Sequence, residues 1–250
     1  MKLQALLYVA HGSRVKEGVK EAIQFIKTVK SYIDVGIQEY CFLELAEPSI
    51  LKGIEQCVSK GATCITVIPL LLLSANHAKI DIPSEIEQAK RRYPFVTFTI
   101  GKPLGVHEKL IHSLHSRVME QSPVDPKETE ILLIGRGSSD PSVQKELGEI
   151  AKLLQQTYEY AKVDICFLYG NGPSFDEKLM KLNESKNRVF IIPYLLFTGL
   201  LKLGIEKRVA KQGFLKEQVV LCECLGYDDN VRQVFIERIE ESLNSFVGSD

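Results

Sequence analysis

Two histidines and a glutamate, His11, Glu44 and His77, are the residues of this sequence whose types and context can do chemistry together. Each lies past a short apolar run: residues 5–9 precede His11, 37–43 precede Glu44, and 64–70 stand ahead of His77. Two neutral imidazoles and one carboxylate suit a divalent first-row metal and leave coordination positions open. Open positions are what a catalytic or transfer site needs, whereas a structural zinc site is closed. Taken singly, either histidine reads as a structural residue; the metal reading comes from the set of three. Asp81 stands one helical turn beyond His77, where it either orients that ring or is simply a charge at a helix start.

The same sequence is written twice. Ala5-Leu-Leu-Tyr-Val-Ala-His11-Gly-Ser13 is answered by Glu130-Ile-Leu-Leu-Ile-Gly-Arg136-Gly-Ser138, an offset of 125. Phe42-Leu-Glu44 is answered by Phe167-Leu-Tyr169, and Ile68-Pro-Leu by Ile192-Pro-Tyr194. In this register His11 becomes Arg136, Glu44 becomes Tyr169 and His77 becomes Leu201. One copy therefore keeps a candidate metal set that the other has lost.

The elements that must position these residues follow from periodicity. Apolar runs alternate with amphipathic stretches, the pattern of α/β domains with parallel sheets. Strands are expected over 5–9, 37–43, 64–70 and 96–100, and again over 131–134, 163–168, 189–193 and 219–222. Helices are expected over 14–33, 48–60, 77–92, 105–120, 141–158, 174–183, 199–212 and 228–245. The stretch 121–129, with two prolines and no apolar period, reads as the linker. The expected architecture is thus two similar lobes, 1–122 and 130–250, each a mainly parallel four-stranded sheet flanked by helices, with a cleft between them. Ligands of open parallel sheets bind at the carboxyl ends of the strands, where His11, Glu44 and His77 all fall.

The loops after the first strand of each copy can receive anions. In His11-Gly-Ser13-Arg14, backbone N–H groups at a helix start, with Ser13 and Arg14, would donate hydrogen bonds to a carboxylate or phosphate. Such turns also use glycine and serine merely as turn and cap residues. In Arg136-Gly-Ser138-Ser139-Asp140 a guanidinium replaces the histidine, and bidentate carboxylate binding is what arginine does best. Asp140 before Pro141 also reads as a helix cap. His107, His112 and His115 share a helix with spacing that permits weak metal binding, although surface histidines are usually just solvated.

Composition excludes several classes. The net charge of −1 offers no polybasic surface, so no nucleic-acid partner is expected. The six cysteines show no CxxC pair and read as buried packing; Cys222 and Cys224, two apart, also suit a soft metal. The apolar runs at the N-terminus and at 67–73 are too short for a signal peptide or a span, so a cytoplasmic protein without membrane attachment is expected. No GxGxxG follows a strand, so no nicotinamide fingerprint is present; no organic cofactor is expected.

The motifs His11-Gly-Ser-Arg14, Phe42-Leu-Glu44-Leu with Glu47-Pro48, Ile68-Pro-Leu-Leu-Leu and Asn76-His77-Ala-Lys79-Ile-Asp81-Ile-Pro83 resemble the class II tetrapyrrole chelatases. The match is best to the two-lobed bacterial sirohydrochlorin ferrochelatases, and Ile134-Gly-Arg136-Gly-Ser-Ser-Asp-Pro141 extends it through the second copy. The resemblance implies insertion of ferrous iron into sirohydrochlorin to form sirohaem, with the metal (Fe2+, or Co2+ in the cobaltochelatase alternative) as substrate. It implies His11 and His77 as the active-site histidines and Glu44 as their carboxylate. A flat macrocycle rimmed by acetate and propionate groups needs cations at its rim and an apolar wall. Arg14, Lys79, Lys102, Arg136 and Lys202 are rim candidates, and Ser13, Ser138 and Ser139 further substrate contacts. Leu71, Leu72 and Leu73, with Tyr194, Leu195, Leu196 and Phe197, are wall candidates, alternate positions being core. Long cobalt chelatases carry a histidine-rich tail and a cysteine cluster; this chain ends at Phe246-Val-Gly-Ser-Asp250 with neither, which favours iron. A monomer or weak homodimer is expected. The remaining alternative is a protein that binds metal or tetrapyrrole without turnover.

Overall fold

The computed structural model describes residues 3–215 and 217–247. Met1, Lys2 and the end of the tail, on which the readings of the two termini partly rest, lie outside the described residues.

The first copy folds as β1 (Gln4–Ala10), α1 (Lys16–Lys30), β2 (Ile37–Phe42), α2 (Ile50–Ser59), β3 (Cys64–Leu70), a π-helical turn (His77–Asp81), α3 (Ile82–Arg92), β4 (Thr97–Ile100) and α4 (Glu108–Met119). The second folds as β5 (Thr129–Gly135), α5 (Pro141–Tyr158), β6 (Lys162–Phe167), α6 (Phe175–Lys181), β7 (Arg188–Pro193), α7 (Leu200–Gln212), β8 (Val219–Leu221) and α8 (Asp229–Val247). Each expected strand and helix is present, with ends displaced by a few residues.

The strands form two parallel four-stranded sheets, ordered β2-β1-β3-β4 and β6-β5-β7-β8. β3 is buried at every position and β1 at all but its first, as expected of strands covered on both faces. Ala10 at the end of β1 pairs with Phe42 of β2 on one side and Leu70 of β3 on the other. The three carboxyl ends are therefore level, and the segments that follow them emerge at one sheet edge.

The compact units are not the two sequence copies. One unit comprises residues 1–105 with 232–250, the other 106–231. The expected division at 1–122 and 130–250 marks the repeat, while the folded units have exchanged their last helices. α4 packs on α5 of the second unit. Most of α8 belongs to the first unit, where Phe235 is fully buried with its ring 6.0 Å from that of Tyr8 and 5.9 Å from that of Phe25. Burying such a side chain stabilises by about 1.5–3 kcal/mol. An amphipathic period announces an apolar face but not the sheet that receives it. The expected linker lies within the second unit, and its end forms a 3-10 turn (Pro126–Glu128) leading into β5.

Candidate metal and catalytic site

His11 is the first residue after β1, and Glu44 follows β2 closely. Pairing of the two strands continues past their ends: Leu43 N–H donates to the Ala10 carbonyl (2.9 Å) and Glu44 N–H to the His11 carbonyl (3.1 Å). Gly12 makes this possible. Its φ is +91°, and a Cβ there would lie 1.8 Å from the Glu44 carbonyl oxygen. His77 arrives by another route, opening the π-helical turn after a six-residue loop, 71–76. An α-helix from residue 77 was the expectation; instead a wider turn leads into α3, a feature frequent at functional sites.

One ligand atom from each of His11, Glu44 and His77 falls within 4.8 Å of the others. His11 Nε2 is 3.4 Å from Glu44 Oε1. The two imidazoles meet edge to face with centroids 4.8 Å apart. His77 Nδ1 is 2.7 Å from Asp81 Oδ2. A carboxylate only accepts, so Nδ1 carries the hydrogen, and in the neutral ring Nε2 is then the nitrogen with a lone pair. Asp81 makes no side-chain cap bond to α3, so of its two readings the geometry supports the orienting one. Removing it by Asp81→Ala should weaken cobalt(II) binding about 10–100-fold, followed by titration of the visible d–d absorption. Unchanged affinity would return Asp81 to the status of a surface charge.

The second unit repeats the frame with other side chains. Leu168 N–H donates to Gly135 (3.1 Å), Tyr169 N–H to Arg136 (3.0 Å), and a Cβ on Gly137 would lie 1.8 Å from the Tyr169 carbonyl oxygen. Arg136 and Tyr169 are exposed, where the first unit carries His11 and Glu44. Leu201 lies in the first turn of α7.

Ser13 and Ser138 accept, at Oγ, the N–H of Val15 and Asp140 respectively (3.1 Å each), so both shape their turns and retain a hydroxyl proton to donate. Asp140 Oδ1 accepts from Ser142 N–H (2.9 Å), the expected cap. Arg14, Lys79, Lys102 and Ser139 are exposed. Lys202, also a rim candidate, is half-buried and already paired with Glu223 and, at 3.5 Å, with Glu206. Leu71 and Tyr194 are core residues, while Leu72, Leu73, Leu195, Leu196 and Phe197 are half-buried. The histidines at the start of and within α4 make structural contacts. His107 caps the helix by accepting Lys109 N–H (3.2 Å), His112 bonds Tyr158, and His115 bonds the Tyr160 hydroxyl (2.8 Å) while stacking on Tyr158 at 3.7 Å. Burial and the neighbouring His112 lower the His115 pKa. All six cysteines are buried thiols, and burial pushes Cys57, Cys166 and Cys222 up to about 12.

Two apolar residues beside the ligands went unnoticed in the sequence: Leu45 and Ile80 are 48% and 59% exposed, too exposed to belong to the core. Ile80 offered a signal, as an apolar residue off the buried face of its helix. Leu45 is held at φ +63°, a conformation that costs leucine about 1–2 kcal/mol and that its repeat counterpart, Gly170, adopts at +75°.

Two histidines and a carboxylate at the carboxyl edge of a parallel α/β unit form a group that could hold a metal ion, and comparison with known proteins gives the chain a family. The CbiX family model matches twice, over residues 5–121 and 130–242, and the chain belongs to that family. It is 43% identical over 244 residues to a sirohydrochlorin ferrochelatase of Priestia megaterium, covering 97% of this chain and 92% of that one. It is 37% identical over 254 residues to a sirohydrochlorin cobaltochelatase of the same organism, covering 98% and 82%. Among solved structures it is similar to SirB from Bacillus subtilis with Fe3+, with a TM-score of 0.89 at 43% identity, covering 100% of this chain and 99% of that one.

Proposed function

We propose that this chain inserts ferrous iron into sirohydrochlorin to form sirohaem. The observation that carries the reading is the gathering of His11, Glu44 and His77, whose ligand atoms lie within 4.8 Å of one another. A ferrochelatase relative at 43% identity over 97% of the chain supports the same reaction.

In this reading the metal is substrate, and the three residues hold it only partly enclosed. The macrocycle loses two pyrrole protons as the metal exchanges protein ligands for four ring nitrogens. His77, with Nδ1 committed to Asp81, offers Nε2 as a directed ligand. His11 and Glu44, 3.4 Å apart, act as ligands that accept protons as the metal leaves, a neutral imidazole being suited to that at neutral pH. Leu45 and Ile80 supply apolar surface beside the ligands. Ser13, Arg14 and Lys79 of the first unit bind carboxylates of the substrate; Arg136, Ser138 and Ser139, at the corresponding sheet edge of the second unit, have the chemistry to bind carboxylates in the same way. Among the described residues no helix is long and apolar enough to cross a membrane.

The test is turnover. Under anaerobic conditions, ferrous iron and sirohydrochlorin should yield the metallated absorption spectrum over many cycles per protein molecule. Product that stops at one equivalent would instead mark a protein that binds without catalysing. Cobalt deserves a parallel arm, because a cobaltochelatase relative covers 98% of this chain. The donor set does not select iron, since affinities of nitrogen and oxygen sites rise from iron to cobalt.

A further inference from the structure

We infer that Arg238, on the exchanged helix α8, is a positioning residue for the metal site, acting through the turn after β4 on the loop that presents His77. The inference rests on the metal-site reading above and concerns residues of the first unit alone.

Arg238 is largely buried, its side chain 14% exposed. Its Nε donates to the Pro103 carbonyl at 3.1 Å, and its Nη2 to the Leu104 carbonyl at 2.9 Å. Nη1 is fixed by Glu241 Oε1 at 2.8 Å, which sets the plane of the guanidinium. Hydrogen bonds from a charged donor are roughly twice as strong as neutral ones, so the turn at 103–104 is firmly placed. That turn in turn holds the loop after β3: Leu104 N–H donates to the Leu71 carbonyl (2.9 Å) and Gly105 N–H to the Leu72 carbonyl (2.8 Å). Residues 71–76 run from those two carbonyls to His77. The helix is also pressed onto this region, since a Cβ on Gly101 would lie 2.6 Å from Ser242 Oγ. Fixing the ring of His77 thus takes two supports, Asp81 at the imidazole and α8 acting through the turn at 103–104.

The second unit contains the same device without a metal set. Arg117 of α4, its side chain 13% exposed, donates through Nη2 to the Leu225 carbonyl at 2.7 Å. Leu225 and Gly226 N–H then donate to the carbonyls of Leu195 (2.9 Å) and Leu196 (2.7 Å). This mirror supplies an internal control that separates positioning from stability.

The experiment compares Arg238→Gln with Arg117→Gln in the full chain, by cobalt(II) titration of the d–d absorption and by thermal unfolding, with His77→Ala as reference. Both arginine variants should lower Tm by similar amounts. Only Arg238→Gln should weaken cobalt(II) binding, by roughly tenfold, at the lower end of what supporting residues of metal ligands contribute. Wild-type affinity in Arg238→Gln, or equal weakening in both variants, overturns the inference. Should Arg238→Gln fail to fold, the lysine pair Arg238→Lys and Arg117→Lys is compared in the same way. Lysine keeps the charge but lacks the fork that spans two carbonyls, so the same difference in sign is expected and its absence refutes the inference. Intact binding in His77→Ala would overturn the metal-site reading itself and this inference with it; lost binding there with wild-type affinity in Arg238→Gln would overturn the positioning role alone.

Discussion

His77→Ala and His11→Ala should each abolish most of the metal-insertion rate and weaken cobalt(II) binding by more than about 100-fold, exceeding what loss of a supporting residue does. The proposed site has three protein donors, so loss of one leaves two, and a partly exposed imidazole is replaced without a large enclosed cavity. Stability should change little, because neither histidine belongs to the buried core. That combination, lost binding with unaltered far-UV dichroism and Tm, distinguishes a functional site from a structural one. His77→Ala should also make Asp81 irrelevant: adding Asp81→Ala to it should have no further effect on affinity, since the carboxylate acts only through that ring. If both single variants insert iron at the native rate, the assignment of the three residues is wrong. A variant that unfolds on loss of His11 would point instead to a structural role.

Gly12→Ala should be the most damaging single methyl group in the first unit. Its new Cβ would sit 1.8 Å from the Glu44 carbonyl oxygen; the Cβ direction is fixed by the backbone and the oxygen is backbone itself, so neither can rotate away. The positive φ of +91° adds strain of its own. A destabilisation of about 3 kcal/mol or more is expected, from backbone strain and from forcing apart the strand extension that carries His11 and Glu44. Gly137→Ala meets the same obstacle at the Tyr169 carbonyl, so its cost in Tm should be similar. The two should differ in response to metal. A ligand that binds the native state raises Tm with concentration, and Gly137→Ala should retain that rise while Gly12→Ala loses it. Thermal unfolding with and without cobalt(II) makes the comparison. A Gly12→Ala protein with native Tm and a native metal response would show that the close approach does not constrain the site.

Much of this was legible in the chain because it is local. The run Cys64–Leu70 contains no charge and is short, so it had to be a buried strand, and β3 is buried throughout. Asp140 followed by Pro141 marked the start of α5 at its correct residue. The repeat register predicted that Arg136 and Tyr169 would stand where His11 and Glu44 do, and the duplicated backbone bonds around Gly12 and Gly137 bear this out. What misled was equally physical. Lys202 looked like any surface lysine with an i,i+4 partner in Glu206, because its second partner, Glu223, reaches it only when α7 lies beside the segment after β8. Tyr194 looked like a wall because a tyrosine after a strand can face either way; it faces inward. Leu45 could not be found, since an exposed leucine in the left-handed region has no pattern in sequence.

The sequence by itself determined the elements, the duplication, and the three residues that one copy keeps. Those follow from periodicities of a few residues and from residue chemistry, which need no knowledge of distant neighbours. Only the tertiary structure decided that Asp81 belongs to His77, that the turn before α3 is widened, and that the last helices change units. Such choices depend on which surfaces meet, and a helix with one apolar stripe fits either of two near-identical sheets equally well on paper. The exchange places Arg238 on the carbonyls of Pro103 and Leu104, more than half the chain away, a contact that no local pattern could express.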